Sequence, residues 1–117
     1  MVNEQQLYTA LSTSADITQI VNSDDIYSGY LPESAKLPAV TFYYVSSDPD
    51  NTLHDGYTGH ALSRYSINVW SKSYPQIQEL RAAVKAAMAG HVLQSDIPLH
   101  EPDNQLYRFV LDYTLYD

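Results

Sequence analysis

Cysteine is absent from this chain, which removes disulfide scaffolds, thiolate metal centres and thiol nucleophiles together. Glycine is scarce, with 4 residues in 117, so a loop that cradles phosphate has little to be built from. Positive charge is equally thin. The 6 Lys and Arg (Lys36, Arg64, Lys72, Arg81, Lys85 and Arg108) stand scattered against 14 Asp and Glu, for a net charge of −8. Sequence-independent nucleic-acid binding needs clustered cations to displace counterions from phosphates, and no cluster is readable. An acidic wall instead repels DNA, which is useful where DNA must slide past without sticking. No apolar run approaches the ~20 residues of a membrane span, and the start, Met1 to Gln6, lacks a basic stretch. The expectation is a soluble product made in the cytoplasm.

What is present reads as a folded α+β chain. Hydrophobic residues make up 44% and charged residues 17%, and 117 residues are enough for one modest core, so a single domain over 1–117 is expected. Tyrosine is over-represented, with 11 against 2 Phe and 1 Trp. A tyrosine packs its ring while keeping its hydroxyl wet, so these residues fit either a thin core or subunit contacts.

The clearest local signal runs from Arg64 to Ala89. Tyr65, Ile67 and Val69 alternate with Arg64, Ser66 and Asn68, which predicts a strand with one buried face. Ser73 and Gln76 form a capping-box pattern, and Pro75 sits where a missing N–H costs little. Ile77, Leu80, Val84, Ala87 and Met88 then make one apolar helical stripe, and Gly90 stands just past the helix end.

Other elements follow from the same rules. Asn3 to Ser12 reads as a short helix with Leu7, Ala10 and Leu11 inward, and Asp16 to Val21 as a further turn. Asn22 to Asp25 is a polar break, and Ile26-Tyr27 opens an irregular segment punctuated by Gly29, Pro32 and Pro38. Ala39 to Ser46 is dense in β-branched and aromatic residues and predicts a strand. Ser47 to Gly59 is polar and reads as a long loop, and His60 to Ser71 as the second main strand. Ser95 to Glu101 fits a short strand. Leu106 to Tyr116 alternates cleanly, with Tyr107, Phe109, Leu111, Tyr113 and Leu115 on one face. The fold expected is a mainly antiparallel sheet of about four strands packed against one long amphipathic helix, with a short N-terminal helix.

Searches for chemistry return little. Asp48-Pro-Asp50-Asn51-Thr52-Leu53-His54-Asp55-Gly56 superficially matches a calcium loop, but Leu53 takes the required glycine position and no Glu stands at the twelfth. His54, His60, His91 and His100 fall at no metal-binding spacing. His100-Glu101 beside Asp103 makes at most a local pair, and Asp24-Asp25 reads as a solvated turn. No nucleophile elbow is present, so no enzyme, metal or cofactor is expected, and a hydrolase built on Asp48, Asp50, His54 and Asp55 is disfavoured.

The order of elements resembles the tail completion proteins of long-tailed bacteriophages and prophages, also called tail terminators or tail-to-head joining proteins. The likeness spans nearly the whole chain. It rests on Leu7 to Leu11, Ile26-Tyr27, Leu31-Pro32 and Leu37-Pro38, on Arg64-x-x-Ile67-x-Val69-Trp70-Ser71-x-Ser73-Tyr74, and on Leu106-Tyr107-Arg108 with Asp112. Gln105 stands where the family often has glycine. The resemblance implies a non-enzymatic virion protein that forms a ring, typically a hexamer, on the head-proximal end of the tail tube. The ring stops tube growth and presents a surface to the neck, so the implied partners are other copies of itself, the major tail tube protein and a head-completion protein. DNA passes through the channel without specific binding.

The residues themselves single out one candidate interface, the polar segment with Asp48, Asp50, Asn51, His54, Asp55 and Tyr57. They also leave open a reading from another class, a small monomeric binding or regulatory domain whose acidic loop captures a basic partner.

Overall fold

Tyr65, Ile67 and Val69 take the buried face expected of them, and the strand that carries them is the middle of the molecule. In the computed structural model the elements are α1 (Glu4–Ser12), α2 (Ala15–Thr18), a 3-10 turn (Ser23–Asp25), β1 (Ile26–Ser28), β2 (Ala39–Thr52), β3 (Gly56–Ser71), α3 (Tyr74–Ala87), β4 (Val92–Glu101) and β5 (Leu106–Tyr116). The structure describes residues 4–29, 31–32, 36–52, 56–101 and 106–116, with the side chains of 4, 46–52, 56–62, 101 and 116 left aside. The strands form one five-stranded sheet in the order β1-β2-β3-β5-β4. Every pairing is antiparallel except that of β1 with β2. The class is α+β as expected, with five strands rather than about four.

Two segments expected to be irregular are strands. Ile26 to Ser28 pairs in parallel with Val40 to Phe42, and Gly29 N–H closes the pairing on the Phe42 carbonyl at 2.8 Å. Three residues are too few to show a period, so this strand was invisible to pattern. Gly29 leaves it at φ +101°, a backbone conformation that a side chain would strain. The larger correction concerns Ser47 to Gly59. β2 and β3 continue through it as a hairpin, with Asp48 opposite Leu62, Asn51 opposite Tyr57 and Thr52 opposite Gly56. Two register shifts, Tyr44/Ser46 and Pro49/Asn51, break the alternation that would have revealed the strand.

The core lies between one face of the sheet and the helices. Phe42, Ile67 and Leu111 sit in one cross-strand row, Val40, Val69 and Phe109 in the next, and all six are buried. Ile77, Leu80, Ala83, Val84 and Met88 of α3 cover them, and Leu7, Leu11, Ile17 and Val21 complete the cluster. Ala10, expected inward, is exposed, and the half-buried Tyr8 packs against the core in its helix. Ala87 is only partly covered.

The helix cap differs from a simple capping box. Ser73 Oγ accepts from Gln76 N–H at 3.5 Å, but Gln76 Oε1 accepts from Ser71 Oγ at 2.7 Å, and Ser71 Oγ accepts Ser73 N–H at 3.0 Å. The reciprocal bond runs through one extra hydroxyl, which ties the last residue of β3 to the first turn of α3. At the other end the chain turns through Met88 to Gly90, with His91 N–H on the Met88 carbonyl at 3.0 Å. Gly90 does not take the left-handed cap conformation.

Because Leu80 is wholly enclosed, Leu80→Ala is expected to cost about 2–5 kcal/mol, and Ser73→Ala about 1 kcal/mol through the cap. Urea-unfolding midpoints at constant m-value measure both. A Leu80→Ala loss below that of the cap variant would show that α3 does not seal the core.

Candidate functional site

Among the described residues no helix covers the second face of the sheet; the buried residues of α1, α2 and α3 join the core on the first. Register aligns Thr41, Asn68 and Val110 with Ile97 in one row of this open face, and Trp70 and Arg108 with Leu99 in the next. Tyr43 is 40% exposed, Ile97 49% and Leu99 43%, and Val45 and Val92 are comparably open. These exposed apolar side chains stand on β2 and β4, to either side of β3 and β5.

The middle of this face is closed by its own polar side chains. Ser66 and Asn68 were expected in solvent, yet each is only 1% exposed. The Arg108 guanidinium donates from Nε and Nη2 to Asn68 Oδ1 at 2.9 and 2.7 Å and lies 4.5 Å from the centre of the Trp70 ring. Trp70 Nε1 donates to Thr41 Oγ1 at 3.0 Å, and Asn68 Nδ2 to Ser66 Oγ at 3.3 Å. An arginine stacked on a tryptophan and held by two hydrogen bonds is a fixed, directional cation. Beside it a cleft of about 370 Å³ is lined by Leu31, Thr41, Tyr43 and Trp70 among others. Sequence reasoning missed this group because its members come from three strands. The only signal available was a Trp and an Arg at outward positions of two strong strands.

The core face carries the opposite arrangement at its margin. Asp96 of β4 accepts from Arg81 Nε at 3.0 Å and pairs with Arg81 Nη2, while Lys85 Nζ lies 2.7 Å away. Burial by itself raises the pKa of this carboxyl, but the hydrogen bonds and charges of Arg81 and Lys85 outweigh burial and hold it below the ordinary aspartate value. Both basic residues of α3 are committed to this one acid, which pins the helix to the edge strand β4. Arg81 also lies over the Phe109 ring at 5.0 Å.

The tyrosines divide between the two roles that composition allows. Tyr65 and Tyr113 line the core, whereas Tyr43, Tyr44 and Tyr74 are exposed. Tyr27 donates to Asp25 Oδ1 at 3.2 Å, which gives the Asp24-Asp25 turn one local bond. His100 stacks on Tyr107 with ring centres 4.6 Å apart, a packing role. Among the described residues no three His, Asp or Glu side chains gather as for a metal ion, and no helix is long and apolar enough to cross a membrane.

The six candidate interface residues fall on the hairpin. Asp48, Asp50, Asn51 and Tyr57 lie within its two strands, and His54 and Asp55 lie outside the described residues, as does Asp103. Among the described residues β5 accompanies β3 only from Leu62 onward, and residues 56–61 pair with β2 alone. At about 3.3 Å per residue, this leaves a two-stranded arm roughly 20 Å long beyond the body of the sheet. The molecule is correspondingly elongated, at 53 × 27 × 23 Å.

The chain is thus a helix-backed sheet with an open face and a projecting hairpin. This fold is shared with a chain from the virion of a native gene transfer agent (GTA) particle, at TM-score 0.72 over 94% of this chain and 90% of that one, with 14% identity. No curated protein matches the sequence. Residues 5–116 match the tail completion protein gp17 family, and the chain belongs to that family. Its role is accordingly a structural one in a phage-type tail.

The Asp96 cluster makes a pH prediction. A carboxyl whose folded pKa is depressed adds stability that is fully present above its unfolded value, near 3.8, and is lost as pH falls through the folded value. Asp96→Asn is therefore expected to destabilise the fold by about 1–2 kcal/mol at neutral pH and to flatten the loss of stability below pH ~4. Thermal unfolding of both forms from pH 7 to 2 measures this. Parallel acid limbs would remove Asp96 from the account.

Proposed function

We propose that this protein, acting as one domain, closes into a ring on the head-proximal end of the tail tube, ends tube polymerisation and joins the tail to the head. The observation that carries the reading is the family match over residues 5–116. The geometry is compatible with it, because each chain has two unlike features that could make such contacts, an open sheet face and a projecting hairpin arm. Unlike surfaces meeting head to tail generate rings when the rotation closes, and six copies is the size the family resemblance implies.

In this reading the partners are other copies of the chain, the major tail tube protein and a head-completion protein of the neck. The net charge of −8 supports a channel wall that lets DNA pass without holding it. The protein is made in the host cytoplasm and ends in the virion. Its action is mechanical and needs no catalytic group or cofactor: a surface that fits the last tube ring is presented without the surface that would accept another.

Adding the purified protein to polymerising tail tube protein is expected to stop elongation and leave a density at one tube end in negative-stain images. Hosts carrying phage that lack the gene are expected to accumulate overlong, headless tubes. Unchanged tube lengths in both experiments would sink the reading. Capture of an unrelated basic protein in their place would favour the alternative of a monomeric binding domain.

A further inference from the structure

The large apolar side chains that the described residues expose are not spread over the sheet. Apart from Tyr74 they stand on two strands, Tyr43 to Val45 in β2, and Val92, Leu93, Ile97 and Leu99 in β4. β3 and β5, which have strand neighbours on both sides, expose none. β4 is the last strand of the sheet, and β1 pairs with β2 only as far as Phe42. Among the described residues, Tyr43 to Val45 and β4 are therefore opposite open edges. Both edges expose apolar groups on both faces. Register puts Tyr44 and Leu93 on the core face with Tyr65 and Tyr113, and Tyr43, Ile97 and Leu99 on the open face. Edge strands are commonly blunted by charged side chains. From Val92 to His100 the one such side chain is Asp96, already held by Arg81 and Lys85, and Tyr43 to Val45 has none.

The backbone is directed to the same two edges. Along a paired strand, the N–H and C=O groups of successive residues point to alternate sides. The Phe42 carbonyl accepts Gly29 N–H at 2.8 Å, so Phe42 and Tyr44 turn away from β3. Followed along the row of Phe42, Ile67, Leu111 and Asp96, the same alternation turns Asp96, Pro98 and His100 away from β5. Pro98 thus has its missing donor on the free side, where a sheet tolerates proline. Tyr44 and His100 each present a donor and an acceptor to their open edge. Strand direction fits as well. Three antiparallel pairings lead from β2 to β4, so these two strands run in opposite directions. A second copy rotated about an axis along the strands sets its β2 antiparallel to the β4 of the first.

We infer that the β4 edge of one copy joins the β2 edge of the next just past β1, as an antiparallel pair with Tyr44 facing His100 and Val45 facing Leu99. β1 fills the β2 edge up to Phe42 and β4 ends one residue beyond His100, so neither obstructs the other. Ser46 then faces Pro98, and the register shift between Tyr44 and Ser46 falls where the facing strand lacks a donor. The joint rests on the ring reading and deepens it by naming where subunits meet. Every copy has both edges, so one contact repeated head to tail uses each once.

Two cysteines in an otherwise cysteine-free chain test the joint. Within one copy β2 and β4 lie three strand spacings apart, ~14 Å, beyond the ~7 Å between Cα atoms that a disulfide can bridge. Val45→Cys with Leu99→Cys in the same chain is therefore expected to give, on mild oxidation of the assembled protein, a ladder of linked copies rising to the ring number. Either variant alone is expected to stay unlinked. Leu99→Lys, at a position already 43% exposed, is expected to keep its thermal midpoint and to weaken self-association by about tenfold or more in sedimentation velocity. Rings that assemble without the ladder, or as tightly in Leu99→Lys as in the wild type, would overturn the joint and leave the ring reading standing. Linked dimers from a single-cysteine variant would show a two-fold contact and overturn the joint too. Wild-type protein that stays monomeric both alone and on tail tubes would overturn the joint and the ring together.

Discussion

The structure depends on one constraint, that β3 must be covered on both faces although only one is covered by helices. Its core face is met by α3, whose apolar stripe seals Ile67 and Val69 from water. Its other face has Ser66 and Asn68 at positions where burial is costly unless each polar atom is paired. Arg108 and Trp70 supply that cover, one bonded to Asn68 and the other to Thr41, and stack on each other across β3 and β5. Both sides of the middle strand are thereby closed, and the apolar residues of β2 and β4 are left exposed around the cover.

This unequal treatment of the two faces connects fold and role. A free-standing protein of this size would be expected to cover Ile97, Leu99 and Tyr43, since they contribute nothing to solubility. In the proposed ring the same exposure would serve contact between subunits or with the tube. The ion cluster of Arg81 and Lys85 on Asp96 keeps α3 seated on the edge of the sheet, so the open face is held on a rigid backing. The relay from Ser71 through Gln76 and Ser73 does the same at the other end of the helix.

The legible parts of the chain were those where one face is buried and the alternation is unbroken. β5 runs from Leu106 to Tyr116 as read, and Ser73 caps α3 as read, because both signals are local. β4 was read only from Ser95, since the shift between Leu93 and Ser95 hides its first residues. The Ser47 to Gly59 segment misled for a related reason. Polar residues and Pro49 resemble a loop, yet two strands can run on as a ribbon where no core needs an apolar face. The failure at Ser66 and Asn68 was different: their polarity was read as exposure, and nothing local said which side chains would lie over them.

By itself the sequence determined the fold class, the core-facing residues of β3, β5 and α3, the cap at Ser73 and the family, because each follows from periodicity, local chemistry or the order of elements. It also determined that no thiol chemistry is available and that the chain is strongly acidic. Only the tertiary structure decided that Trp70, Arg108, Asn68 and Thr41 form one group, that the second sheet face stays open, and that the polar segment is a projecting arm. Those outcomes depend on which strands become neighbours and in what register, and residues as far apart as Asn68 and Arg108 meet only after that pairing is made.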